Sequence, residues 1–348
     1  MNRPSGTPAK FDSSDFDETF GRVVPEGRWI AMNPKGRFPG YRIVRLMMPW
    51  ASWRNKRNDG ILDQLHDYTE RRFMNEVMAL AFDGGNQPVT ESAIQACTAT
   101  AHGLPDYEMP LWNDEDGIRL ISAQHQGFLK YAGLDWAMQA KDEDTASYTI
   151  FGVFALVGDK LKLIFAHRFT GLNSNDPEFV LRTVMRWMEL FQVTRLGADY
   201  GIGYKEDLRL IEKFGLQRVA AFQYYGGGGG GSSKSKTKWD GAALKFNIPK
   251  TRTLDQLYTE INRRRFILPR YSQVKQYTDD WLRMVQEVSW ETRAVRYRRT
   301  GPDDFNHVAN YAYLAKRLDK REDEFHNYDR LMAGEAAVVT GRGRAARP

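Results

Sequence analysis

An acid inside an otherwise apolar strand sets the problem for this chain. Residues 130–136 (KYAGLDW) read as a strand, with Asp135 near its end after Tyr131-Ala132-Gly133-Leu134. Two apolar arms follow at 148–157 and 160–167, joined through Val157-Gly158-Asp159-Lys160, a hairpin turn signal. A carboxylate buried in a central strand is costly unless something cationic meets it. Asp135 therefore has either a structural partner or a share in a metal site.

The segments around it define the organisation. Residues 1–27 are polar and are expected to be a disordered leader, and residues 28–120 a linker region. That region carries strands at 28–32 and 40–50 and a helix over 60–82, whose Ile61, Leu65, Tyr68, Phe73, Val77 and Leu80 recur at helical spacing. A short helix opens at Thr90 and runs through Cys97. Residues 102–120, with Pro105, Pro110 and several acids, read as a connector, which places a domain boundary at 120/121.

From 121 to 320 the order is strand, hairpin, helix, strand, helix, strand. Asp176-Pro177-Glu178 starts the helix 177–191; a strand at 195–201, a helix at 205–214 and a strand at 217–225 follow. This alternation predicts an α/β fold with a mixed sheet flanked by helices. The run GGGGGGSSKSKTK (226–238) reads as a flexible Gly/Lys loop within the domain, because glycine loses the most conformational freedom on ordering. Beyond it the pattern predicts a strand at 242–248, helices at 253–265 and 272–288, a strand at 293–299 and a last helix at 303–318. Residues 321–348 are expected to be a tail.

Composition excludes several classes of chemistry. The single cysteine, Cys97, rules out an intrachain disulfide and a cysteine-built zinc site. No apolar run approaches a membrane span or a signal-peptide core, so an intracellular chain is expected. The net charge of +6 and pI near 9.2 are compatible with a nucleic-acid partner.

Three acidic spots share one kind of place. Asp135 lies on the first strand of the domain, Asp199 at the end of the 195–201 strand before Gly201, and Asp303 and Asp304 at the opening of the last helix. Helical spacing puts Asp304, His307 and Tyr311 on one face. Taken singly, these acids are as well explained as strand-end, turn and first-turn residues. Taken together they match what phosphodiester hydrolysis requires: carboxylates on rigid elements holding two hard divalent cations.

The motifs GLDWA (133–137), GADYGIGY (197–204) and PDDFNHVANYAYLA (302–315), in this order, resemble the nuclease domain of the large terminase subunit of tailed bacteriophages, an RNase H-like fold. Upstream, GYRIVRLMMPW (40–50) and YTERRFMNEVMALAFDGG (68–85) resemble the segment joining a terminase ATPase to its nuclease, so the resemblance covers residues 28–318. It implies a metal-dependent endonuclease that cuts concatemeric double-stranded DNA with two Mg²⁺ or Mn²⁺ ions. Asp135 would bridge the ions, Asp199 would bind one, and Asp304, with Asp303 as the alternative, would complete the other. Lys234, Lys236, Lys238, Arg263, Arg264, Arg296 and Arg298 would meet DNA phosphates, with Trp239, Tyr271 and Tyr297 lying among these cations. The implied partners are a portal protein, a small terminase subunit and an ATPase domain or chain, in the host-cell cytoplasm during virus assembly. A G-x-x-x-x-G-K-[ST] phosphate loop is missing from the sequence, so no ATPase activity is expected of these residues alone. Two alternatives keep the same elements: a resolvase- or transposase-type nuclease, and a non-catalytic module that binds DNA or the portal.

Overall fold

The computed structural model describes residues 87–137, 148–170, 176–226, 237–288, 295–322 and 325, together with the backbone of four short strands nearer the N-terminus. The chain forms two compact units, Met1–Gly85 and Asn86–Pro348. In the first, Phe16–Asp17 pairs antiparallel with Gly21–Arg22, and Arg28–Ala31 with Gly40–Ile43. The first pair lies within the leader expected to lack structure, although a ladder of two residues is a marginal element. The helix expected over 60–82 lies outside the described residues, as do Lys234, Lys236 and the tail beyond Phe325.

The second unit is built on an eight-stranded sheet. Its strands are β1 (Lys130–Asp135), β2 (Ile150–Val157), β3 (Lys160–Arg168), β4 (Arg195–Asp199), β5 (Val219–Tyr225), β6 (Lys238–Asp240), β7 (Lys245–Pro249) and β8 (Phe266–Ile267). The spatial order is β6-β7-β5-β4-β1-β2-β3-β8. β2 runs antiparallel to β1 and β3, and β6 antiparallel to β7; the other pairs are parallel. An antiparallel hairpin arm beside a central first strand, with the fourth and fifth strands parallel on its other side, is the RNase H-like arrangement expected. The hairpin turns at Gly158, whose φ of +64° suits glycine in a two-residue loop.

The helices are α1 (Glu91–Gln95), α2 (Glu115–Gln124), α3 (Pro177–Leu190), α4 (Tyr204–Phe214), α5 (Lys250–Asn262), α6 (Tyr271–Leu282) and α7 (Asp304–Asp319). One face of the sheet packs on α3 and α4 through Leu134, Val153, Val184, Trp187, Leu196 and Leu210. The other packs on α5, α6 and α7 through Tyr131, Phe154, Leu257, Trp281, Phe305 and Val308. Asp176 caps α3 by accepting from the amides of Glu178 and Phe179, with Pro177 at the first helical position.

Three expectations are corrected. The connector 102–120 contains the start of α2, where Asp114 accepts from the Gly117 amide, so acids that suggested a loop are a cap and a first turn. The helix expected over 272–288 stops at Leu282; Met284–Val288 (β9) pairs antiparallel with Val295–Arg299 (β10), a distant partner that local spacing does not reveal. The domain starts upstream of 120/121, because Cys97 and Ala99 bond Leu268 in the main chain and Gln273 clamps both main-chain groups of Met109.

Candidate metal centre

The parallel pairing of β1 with β4 sets two of the acids side by side. Leu134 pairs with Ala198, and Asp135 and Asp199 stand one residue further along each strand. Both fall on the α7 face, two residues beyond Gly133 and Gly197 respectively. Those glycines pair with each other, and Gly133 pairs with Gly152 on the other side. A Cβ on Gly133 would lie 1.9 Å from the Val308 carbonyl oxygen, and one on Gly197 2.3 Å from that of Tyr311. Gly133 and Gly197 form a trough in which the α7 backbone lies directly on the sheet, and Gly152 beside them takes the Val308 side chain. That close seating delivers the N-terminus of α7, with Asp303 and Asp304, to the strand ends that carry Asp135 and Asp199.

Each acid is held differently. Asp199 accepts from the Tyr311 hydroxyl at 2.9 Å and from the Gly201 amide at 3.2 Å. Asp303 sits between His307 Nε2 at 3.1 Å and Arg299 at 3.3 Å. Asp304 accepts from the Tyr148 amide at 3.0 Å. Asp135 is buried, and none of the described residues gives it a hydrogen bond. Asp303 does not cap its own helix. Asp280, on α6 and with no exposed surface, does so instead, accepting from the Phe305 amide at 3.0 Å while Arg168 and Arg283 approach it at 3.4 Å.

The charges follow this geometry. Burial pushes Asp135 well above the usual carboxylate range, and Asp199, Asp304 and Asp303 push it further. Burial also raises Asp199, against the opposing pull of the Tyr311 hydrogen bond. Asp303 goes the other way, to about 2: burial works to raise it, but His307, Lys250 and Arg299 together prevail. Burial takes Asp280 up to about 7. Four carboxylates thus gather at one sheet end, and the central one has no described donor. Oxygen ligands of this kind suit a hard divalent cation. Among the described residues, no three His, Cys, Asp or Glu side chains already close on a single ion position, since Asp199, Asp303 and Asp304 each lean on a protein donor.

No family profile and no curated protein matches the chain. The structure is similar to nuclease domains of phage large terminases. The Sf6 domain, solved with manganese, has TM-score 0.41 at 9% identity, over 66% of this chain and 97% of that one. The large terminase nuclease of the thermophilic phage G20c has TM-score 0.36 at 14% identity, over 54% and 82%. Against the HK97 large terminase the values are TM-score 0.39 and 11%, over 65% of this chain but 43% of that one.

The remaining sequence candidates are placed unevenly. Arg296 and Arg298 are exposed on β10, which leads into the Arg299–Asp303 pair, and Arg298 bonds Glu287. Lys238 is exposed on the edge strand β6. Arg263 and Arg264 are not brought to the acids. Helix α5 starts at the acid end of the sheet and carries them to the opposite end, beside the start of β3. The aromatic candidates are used in packing: Trp239 lies 4.8 Å from Phe246, Tyr297 packs on Tyr258, and the Tyr271 hydroxyl bonds Glu91. Several site residues were not singled out from sequence. Lys250, opening α5 with its ammonium over the Tyr224 ring at 5.4 Å, bears on Asp135, Asp199 and Asp303. Asp280 and Tyr148 also have no motif of their own. Asp207 does carry a helical cue, in the first turn of α4, but its partner is distant: it accepts from Trp136 Nε1 at 2.9 Å, on the face of β1 opposite Asp135.

Proposed function

We propose that the chain is a metal-dependent endonuclease that hydrolyses phosphodiester bonds of double-stranded DNA, serving as the nuclease of a viral genome-packaging motor that cuts concatemeric genomes. The observation that carries this is the meeting of Asp135, Asp199, Asp303 and Asp304 at one sheet end, with Asp135 buried and repelled by the other three. Two Mg²⁺ or Mn²⁺ ions, when bound, would supply charge neutralisation and an activated water. Asp135 would be the ligand common to both, with Asp199 and Asp304 as the other carboxylates that would hold them.

Asp303 has a different task in this reading. Asn310 donates to the Tyr224 oxygen at 2.8 Å, the Tyr224 hydroxyl meets His307 Nδ1 at 3.1 Å, and His307 Nε2 meets Asp303 at 3.1 Å. That chain orients the His307 ring and holds Asp303 as an anchor for the start of α7. Lys250 stands where it can meet a substrate phosphate, and Arg296, Arg298 and Lys238 add positive charge around the cleft. The three acid motifs support the terminase assignment. It brings as partners DNA, a portal protein, a small terminase subunit and an ATPase domain or chain, and as location the host-cell cytoplasm.

Plasmid cleavage in Mn²⁺ tests the reading. Asp135→Ala abolishes nicking and linearisation while circular dichroism stays that of the parent. Cleavage by the variant at the parent's rate removes the assignment.

A further inference from the structure

Among the described residues, three large apolar side chains stand exposed in one short stretch beyond Asp199: Ile202 at 49%, Tyr204 at 41% and Leu208 at 40%. Folding does not require them there. Helix α4 already buries a separate apolar side, with Leu210 in the core and Ile211 and Phe214 packed against it. Tyr204 and Leu208 are one turn apart on the outward side.

Cations accompany this ridge. The rings of Tyr200 and Tyr204 lie 6.2 Å apart. The Lys245 ammonium sits over Tyr200 at 4.2 Å, and that of Lys205 over Tyr204 at 5.9 Å. Lys245 also bonds Gln223 and pairs in register with Asp240, and Glu206 lies within the same helical turn as Lys205. The ridge begins at Tyr200, the residue after Asp199, so it starts from the sheet end that carries the acids.

A group of four carboxylates repels a phosphodiester backbone, so a polyanion has to be gripped from beside them. Ammonium groups take phosphates, while exposed tyrosine and aliphatic side chains take sugar edges and base faces. We propose, resting on the nuclease reading, that Tyr200, Ile202, Tyr204 and Leu208, with Lys205 and Lys245, form a contact surface for duplex DNA. Its aliphatic and aromatic tips press into the minor groove beside the scissile bond.

The test uses the full chain and a fluorescently labelled duplex. Binding is measured by anisotropy in chelator, cleavage in Mn²⁺, and ion binding by calorimetry. The double variant Ile202→Ser/Tyr204→Ala binds DNA about tenfold more weakly. Its Mn²⁺ affinity and circular dichroism remain those of the parent, and Tyr204→Phe binds as the parent does. Lys205→Ala/Lys245→Ala flattens the salt dependence of binding by roughly 0.9 for each phosphate no longer neutralised. If the parent cleaves DNA and the double variant binds it equally well, the contact surface is refuted and the nuclease reading stands. If the parent never cleaves but the double variant still binds more weakly, the nuclease reading fails and the contact surface survives.

Discussion

At the residue scale the centre is a contrast between acids that proteins usually treat alike. Asp303 is held low, to about 2, by His307, Lys250 and Arg299, whereas Asp135, Asp199 and Asp207 are raised chiefly by burial and Asp280 is raised to about 7. A carboxyl raised in the folded state binds protons that the unfolded chain has released. Its stabilising contribution is complete below the ordinary carboxylate pKa and is lost as pH rises through the folded value. In chelator, thermal stability should therefore fall as pH rises through about 7, with Asp280 as the group that titrates there. Asp280→Asn keeps an acceptor for the Phe305 amide but removes the titration, so its melting temperature should depend less on pH across that range. An unchanged slope would show that Asp280 does not carry the effect. Excess Mn²⁺ should reverse the trend, because ligation needs the carboxylates deprotonated. Sequence reached Asp135, Asp199 and the 303–304 pair because strand ends and helix starts are legible from spacing. His307 was legible too, at helical spacing, although the structure gives it to Asp303 rather than Asp304. Asp280 was not, since only packing of α6 against α7 gives its carboxylate the Phe305 amide.

At the scale of elements, the decisive device is the glycine trough that seats α7. Nothing in local propensity asks for glycine at 133 and 197, where it weakens a strand; the close approach of a second backbone does, while Gly152 makes room for the Val308 side chain. Gly133→Ala would drive a Cβ against the Val308 carbonyl, and backbone cannot give way as a side-chain tip can. We expect a loss of about 1–3 kcal/mol in urea unfolding, as for overpacked cores. Mn²⁺ affinity should weaken with it, because Asp304 retreats along with the helix. Loss of stability with full Mn²⁺ affinity would mean that the trough serves packing only. The elements best read from sequence were those with a local signature: the 157–160 turn, the Asp176 cap and the apolar stripe of α3. Residues 284–288 were misread because Val285 and Val288 fit a helical stripe as well as a strand, and the choice is made by pairing with β10, itself expected as a strand.

At the scale of the whole molecule, parallel pairing and one buried helix gather acids from positions 135 to 304 at one sheet end. The RNase H-like order was legible because strand, hairpin, helix and strand succeed one another without long gaps. The start of the second unit was not, because residues 87–120 are tied down by bonds to Leu268 and Gln273, far along the chain. The same connectivity separates the arginines: Arg299 of β10 meets Asp303, while Arg263 and Arg264 end at the other side of the sheet. The central claim, that this sheet end is a two-ion centre, is tested most directly by anomalous diffraction from crystals soaked in Mn²⁺. Two manganese peaks are predicted among Asp135, Asp199 and Asp304, both lost in Asp135→Ala crystals. An empty cleft at saturating Mn²⁺, or peaks that survive removal of the Asp135 carboxylate, would contradict it.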